Sequence, residues 1–161
     1  MVAEPICLSI PRWNDTFVLT TDSSKLGCGY IISNEDSKGV QRVIAYGGRQ
    51  WTKHESMWSV SELEMAGILY ALEANSQYFI GRQFKIYTDH ISNTWVHNLK
   101  HSQGKLYRWS LRLQNYSFTI HHLPGTIIVT TIVYPGHLGS CSMRQFFRIG
   151  PRIDSHKGNF F

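Results

Sequence analysis

Residues 21–32 read Thr21-Asp22-Ser23-Ser24-Lys25-Leu26-Gly27-Cys28-Gly29-Tyr30-Ile31-Ile32, and the predicted fold is built outward from them. An apolar run at 17–19 leads into Asp22, a polar turn follows, and two glycines precede a second, β-branched run. Because apolar runs separated by a short polar turn are typical of paired strands, the stretch predicts a hairpin. The hairpin carries a carboxylate at the end of its first strand.

Length and composition indicate one folded domain. The chain has 161 residues, of which 42% are apolar and only 17% are charged. This composition supplies a full core and excludes disorder over most of the length. The formal net charge of +5 suits a polyanionic partner, although it suits an ordinary basic protein equally well.

Cysteine usage and hydropathy predict an intracellular protein with no membrane partner. The three cysteines, Cys7, Cys28 and Cys141, lie far apart without C-x-x-C spacing, so neither a zinc site nor a disulfide framework is expected. Free thiols suit a reducing, intracellular compartment. Glu4 and Pro5 interrupt any apolar core of a signal peptide, and no apolar run approaches membrane-spanning length.

Outward from the hairpin, the patterns predict a meander followed by alternating helices and strands. Three antiparallel strands are expected at 17–22, 30–33 and 43–46. A long helix follows, because Ser59 and Glu62 fit a capping box and apolar residues then recur at helical spacing up to a stop before Gly81. The remaining predictions are strands at 84–88 and 117–121 and helices at 93–99 and 105–114.

This order, βββ-α-β-α(α)-β, predicts an α+β fold, a mixed sheet flanked by helices. We assign residues 1–15 to a lead-in segment, 16–125 to the domain and 126–161 to a degenerate tail. Residues 126–134 are almost all β-branched, and no periodicity follows them. We interpret the tail as a strand followed by a disordered end, with no C-terminal helix.

Three carboxylates occupy positions that suit one site. Asp22 ends one predicted strand and Asp89 directly follows another, and Glu64 lies in the predicted helix, where the capping box uses Glu62 instead. Carboxylates delivered by one helix and two strand ends can hold divalent metal ions against a phosphate. Taken singly, each residue has a more ordinary interpretation, as a turn residue, a surface or capping acid, and a strand-end cap respectively.

At these residues the chain resembles the RNase H domain of reverse transcriptases from gypsy-type LTR retrotransposons and related retroviral elements. Four segments resemble the family's motifs in the same order, and together they cover roughly residues 13–125. They are TDSSKLGCGYII at 21–32, VIAYGGRQWTKHESMWSVSELEMAGILYAL at 43–72, QYFIGRQFKIYTDH at 77–90 and KLYRWSLRLQNYSFTIHHLPG at 105–125.

The resemblance implies an RNase H-like fold and a set of site residues. Asp22, Glu64 and Asp89 match the family's first three carboxylates, so they are expected to be catalytic and to bind Mg²⁺ or Mn²⁺. Glu64 is preferred over Glu62 because it holds the fixed offset to Ala71-Leu72. The residues expected to contact substrate are Ser23, Ser24, Gly27, Arg49, His90 and Arg108.

The resemblance also implies a substrate and a larger protein. The expected activity is endonucleolytic hydrolysis of RNA in RNA·DNA hybrids, within a reverse transcriptase polyprotein whose polymerase domain would be a partner. The family's fourth carboxylate, in N-x-x-A-D-x-L-S-R, has no counterpart here, since no acid occurs between Gly125 and Asp154. Impaired cleavage is therefore expected. The alternatives are an inactive remnant that binds nucleic acid and a pseudogene product without function.

A frameshift would explain the missing acid. In a shifted frame, the codons of residues 131–136 permit Asp, then Cys, Ser or Arg, then Leu, Ser and Arg, which matches the D-x-L-S-R of the family. We hypothesise that the frame changes near 125–128. The coding DNA across Gly125 decides this, because shifted codons that do not spell the motif exclude it.

Overall fold

A computed structural model describes residues 8–89 and 104–122, together with the backbone of two strands at 129–134 and 137–142. The strands are β1 (Thr16–Ser23), β2 (Gly27–Glu35), β3 (Gln41–Gln50), β4 (Gln83–Thr88), β5 (Ser117–His122), β6 (Val129–Tyr134) and β7 (His137–Ser142). The helices are α1 (Val60–Ala74), α2 (Ser76–Phe79) and α3 (Lys105–Leu113), and a 3-10 turn covers Glu55–Met57.

The sheet has five strands in the order β3-β2-β1-β4-β5. β1, β2 and β3 pair antiparallel, whereas β1 pairs parallel with β4, and β4 pairs parallel with β5. The predicted meander and the mixed α+β sheet are confirmed. Because β1, β4 and β5 run parallel, their carboxyl ends meet at the same edge of the sheet, which brings residues at the ends of β1 and β4 together.

The helix α1 begins at the predicted capping box. The Ser59 hydroxyl accepts from the backbone N–H of Glu62, and the Glu62 carboxylate accepts from the backbone N–H of Ser59 at 2.8 Å. Glu62 also forms a salt bridge of 3.0 Å with Lys105 at the start of α3. Glu62 is therefore occupied at the helix start, and Glu64 is left to point toward the sheet.

One face of the sheet packs against α1 and forms the main core. Phe17 and Leu19 on β1 and Ile86 on β4 lie in this core with Leu72 of α1, and each of these side chains is at most 1% exposed. Burial of large apolar side chains is the main stabilising contribution to such a fold. It holds α1 against β1 and β2, close to the end of β1 that carries Asp22.

The C-terminal region lies partly outside the described residues. There, β6 and β7 pair antiparallel as a separate two-stranded sheet, so the strand predicted within 126–134 is present and has a partner. Within the part of the chain that the structure describes, no helix follows β5. The helix predicted at 93–99 falls outside that part, and the domain boundaries stay predictions. No helix among the described residues is long and apolar enough to cross a membrane.

Candidate metal centre

Asp22, Glu64 and Asp89 form a cluster at the carboxyl edge of β1 and β4, here called the carboxylate triad. One carboxylate oxygen from each residue lies within 4.8 Å of the others. Asp22 is next to last in β1, Asp89 directly follows β4, and Glu64 lies in α1 above them. Glu64 is only 4% exposed, whereas the two aspartates are partly exposed. The triad is thus open to solvent on one side and closed on the other.

The electrostatics of the triad favour a bound cation. Burial raises the pKa of Glu64 from its ordinary 4.5 to about 8, and the negative charges of Asp89 and Asp22 add to this effect. Hydrogen bonds from the Ser23 backbone N–H and the Thr88 hydroxyl act in the opposite direction. The metal-free triad therefore holds a proton on Glu64 at neutral pH, and a divalent cation would take the place of that proton.

Two oxygen atoms of the triad are buried without hydrogen bonds. Glu64 Oε2 and Asp89 Oδ1 find no partner among the residues that the structure describes. Buried carboxylate oxygens usually have a hydrogen-bond partner, and an oxygen without one is typical of a position that an ion or water occupies. Carboxylate oxygens are also the ligands that Mg²⁺ prefers. The donor set therefore fits a hard divalent cation.

Comparison with known proteins identifies the family. The sequence profile described as the RNase H-like domain found in reverse transcriptase matches residues 12–116. The chain belongs to this family. The resemblance inferred from the four sequence segments is confirmed.

Relatives of this RNase H-like domain are retroelement polyproteins. It is 37% identical over 125 residues to the retrovirus-related Pol polyprotein from transposon 297 of Drosophila melanogaster, a match that covers 78% of the chain and 11% of that polyprotein. The corresponding polyprotein from transposon 412 is 36% identical over 121 residues, covering 75% of the chain and 10% of the relative. The chain thus spans about a tenth of the curated relatives it matches.

A solved structure with the same fold is that of the foamy viral protease-reverse transcriptase in complex with RNA/DNA hybrid. The TM-score is 0.59 at 19% identity, and the match covers 72% of this chain and 16% of the viral one. At this identity the likeness concerns the fold alone. It confirms the RNase H-like architecture that the motif order implies.

A glycine in α1 lets the helix approach the triad. A Cβ atom on Gly67 would lie 2.4 Å from Ser23 Oγ and 3.2 Å from the Cβ of Cys28. Gly67 is one turn beyond Glu64, so this close approach determines how near Glu64 comes to the end of β1. No side chain larger than hydrogen fits at this position unless Ser23 or the helix shifts.

We expect Gly67→Ala to destabilise the domain by about 1–3 kcal/mol, the usual cost of overpacking a closely packed position. On helix propensity alone the same change would stabilise it by about 1 kcal/mol. Urea unfolding followed by circular dichroism measures the difference. Glu73→Ala, at an exposed position of α1, is the control and should change stability far less. A Gly67→Ala variant as stable as the wild type would contradict the packing argument.

The family resemblance predicts that Arg49 contacts substrate, and the structure gives this side chain protein partners. Its guanidinium donates to both carboxylate oxygens of Glu55, at 2.6 and 3.2 Å, and lies over the Trp51 ring at 4.6 Å. This hydrogen-bonded pair lowers the pKa of Glu55 to about 2. Sequence patterns did not reveal the pairing, because it depends on the fold of the 3-10 turn that follows β3.

The other predicted substrate residues lie in different surroundings. Ser23 Oγ is buried against Gly67, whereas the Ser24 hydroxyl accepts from the backbone N–H of Leu26 at 3.2 Å in the turn after β1. Gly27 has a structural role, since a Cβ there would lie 2.4 Å from the Arg49 carbonyl oxygen. Arg108 is exposed on α3.

His90, also predicted to contact substrate, lies outside the described residues. Its neighbour Asp89 has a contact that sequence patterns missed. His122 Nε2–H donates to the backbone carbonyl of Asp89 at 2.9 Å, and this bond ties the end of β5 to the residue after β4. The ring nitrogen carries the proton because a carbonyl oxygen can only accept.

The sequence patterns also do not single out two threonine hydroxyl groups that lie beside the triad. Thr21 and Thr88 precede Asp22 and Asp89 in sequence, and the two threonines are partners in the parallel register of β1 and β4. The repeated Thr-Asp pair at two strand ends was the available signal.

Cys28 is a free, buried cysteine next to this region. Burial raises the pKa of its thiol to about 11, so the thiol stays protonated and unreactive at neutral pH. The intracellular location expected from cysteine usage stays a prediction.

Proposed function

We propose that this RNase H-like domain hydrolyses the RNA strand of RNA·DNA hybrids as part of a retroelement reverse transcriptase. Mg²⁺, or Mn²⁺, would be held by Asp22, Glu64 and Asp89. The observation that supports the proposal is the carboxylate triad itself, with one oxygen of each residue within 4.8 Å of the others and with its buried glutamate. The substrate and the parent polyprotein are inferred from family membership.

The three carboxylates would have different roles around a bound cation. When bound, the divalent cation lowers the pKa of a water molecule and neutralises charge on the phosphate. Asp22 and Asp89, which are partly exposed, would face the scissile phosphate and keep the cation at the protein surface. Glu64, which is buried, would supply a fixed negative charge from the helix side of the site. The Ser23 backbone N–H supports the ionised form of Glu64 by donating to it.

Cleavage is proposed to be weak. The sequence has no acid between Gly125 and Asp154, so the fourth carboxylate of the family has no counterpart in that stretch. The same observation favours a second candidate function, an inactive remnant that binds nucleic acid with the help of its net charge of +5. Under that alternative the carboxylate triad would remain in the fold without catalysing a reaction.

We expect slow cleavage of a labelled RNA·DNA hybrid in Mg²⁺ or Mn²⁺, none in EDTA, and none by Asp89→Asn. The physical reason is that the variant loses one of three metal-facing charges. Product lengths on a denaturing gel provide the measurement. Cleavage by the variant at the wild-type rate would show a contaminating nuclease and contradict the proposal.

A binding assay separates the alternatives when no cleavage is found. Hybrid affinity that falls steeply as salt rises from low to physiological concentration would support the nucleic-acid-binding remnant, because phosphate contacts release counterions. Absence of both cleavage and binding would support a pseudogene product. Fluorescence anisotropy with a labelled hybrid makes this measurement.

A further inference from the structure

Two threonine hydroxyls lie on the sheet face beneath Glu64. Thr21 has the same strand parity as Leu19, and Thr88 has the same parity as Ile86. Since Leu19 and Ile86 belong to the core that packs against α1, both threonines face α1 as well. Thr21 is 0% and Thr88 is 1% exposed. The site thus has a polar floor at the edge of an otherwise apolar core.

This floor is in contact with the triad. The Thr88 hydroxyl hydrogen-bonds to the Glu64 carboxylate. Among the residues that the structure describes, Thr21 Oγ1 and Glu64 Oε2 are both buried without a partner. A hydroxyl can donate and accept, so it serves a carboxylate as a donor at a point where water cannot reach. Valine would fill the same volume without that bond.

We propose that Thr88 is a positioning residue for the metal site, which holds the Glu64 carboxylate so that its second oxygen faces Asp22 and Asp89. Thr21 would provide a second hydroxyl on the neighbouring strand. The inference rests on the proposed metal site. Its physical basis is that a glutamate side chain has several rotatable bonds, and a buried hydrogen bond removes that freedom before the cation arrives.

The competing explanation is that Thr88 only fills space at the end of β4. The variants Thr88→Ser and Thr88→Ala distinguish the two explanations. Both replacements are smaller than threonine, and they differ from each other by a single hydroxyl. Thr20→Val is a matched control, since Thr20 is also buried in β1 but its parity places it on the opposite face of the sheet. Far-ultraviolet circular dichroism and urea unfolding establish that each variant folds.

The test is isothermal titration of the metal-free domain with MnCl₂. We expect Thr88→Val and Thr88→Ala to weaken Mn²⁺ affinity by roughly ten- to a hundredfold, and Thr88→Ser to stay within about threefold of the wild type. Thr20→Val should bind as the wild type does. Equal affinities of the serine and alanine variants would overturn the inference, as would wild-type affinity in a folded Thr88→Val.

The serine and alanine pair decides the question even when the valine variant does not fold. A wild-type domain that binds no Mn²⁺ would overturn the metal site itself, and the inference with it. That result differs from a wild type that binds Mn²⁺ and an alanine variant that binds it equally well, which overturns the role of Thr88 alone.

Discussion

In the absence of divalent cations, we expect Glu64 to make the wild-type domain lose stability as the pH rises from about 4.5 to about 8, a loss that Glu64→Gln lacks. The folded-state pKa of Glu64 is about 8, above its ordinary 4.5. Between these values the unfolded chain has already released the proton that the folded domain still holds, so rising pH favours unfolding. Below and above this window both states carry the same charge at Glu64, and the effect levels off.

The size of the effect follows from the pKa difference. Each unit is worth about 1.4 kcal/mol, so ionisation of this one buried carboxyl lowers the free energy of unfolding by roughly 2–5 kcal/mol across the window. The glutamine variant has no charge to bury. It should equal the wild type near pH 4.5 and exceed it at pH 8 in EDTA.

Urea unfolding at several pH values measures this difference. Other groups titrate too, and Glu55, whose pKa is lowered to about 2, loses its contribution only at acidic pH. Subtracting the free energy of unfolding of Glu64→Gln from that of the wild type at each pH removes the contribution of such groups. Glu73→Gln, an acid on the exposed side of α1, is the control and should follow the wild type. Parallel curves for wild type and Glu64→Gln would refute the buried, protonated glutamate.

The second expected result is that Mg²⁺ stabilises the wild-type domain at pH 8 and fails to stabilise Asp22→Asn. A ligand that binds only the folded state adds about 2.7 kcal/mol when its concentration is a hundred times its dissociation constant. Asp22 is one of the three carboxylates within 4.8 Å, and its loss removes a charge from the exposed side of the triad. The shift of the thermal midpoint with added MgCl₂ measures this contribution.

Asp36→Asn is the matched control for Asp22→Asn. Asp36 accepts hydrogen bonds from the backbone N–H groups of Lys38 and Val40 and pairs with Arg42, at the opposite end of the sheet from the triad. Its replacement should lower stability with and without Mg²⁺ and leave the Mg²⁺ effect intact. An Asp22→Asn domain that gains as much from Mg²⁺ as the wild type would exclude Asp22 as a ligand.

The features predicted correctly from sequence are those determined by neighbours along the chain. The capping box at Ser59 and Glu62 depends on residues three apart, and the strands that bring Asp22 and Asp89 to their ends depend on short apolar runs. The family motifs then supplied the long-range order. These signals together predicted the sheet and brought three acids to one edge.

The features missed depend on contacts between distant segments. Residue 27 must be glycine because the carbonyl oxygen of Arg49, on the neighbouring strand, leaves no room for a Cβ atom. In the sequence, Thr88 has the pattern of an ordinary strand residue. Its hydrogen bond to Glu64 exists only because α1 packs on the sheet. Periodicity and capping patterns describe one segment at a time, so they could not distinguish these roles.

The parallel pairing of β1 with β4 has a consequence for how the domain folds. Asp22 and Asp89 meet only after the chain has formed the crossover through α1, a contact between residues far apart in sequence. Such contacts are slow to form because the intervening chain must first be ordered. The hairpin of β1 and β2 can assemble from local contacts and still lack a site. Cation binding would therefore report that the crossover is complete, and cations would draw the folding equilibrium toward chains that have closed it.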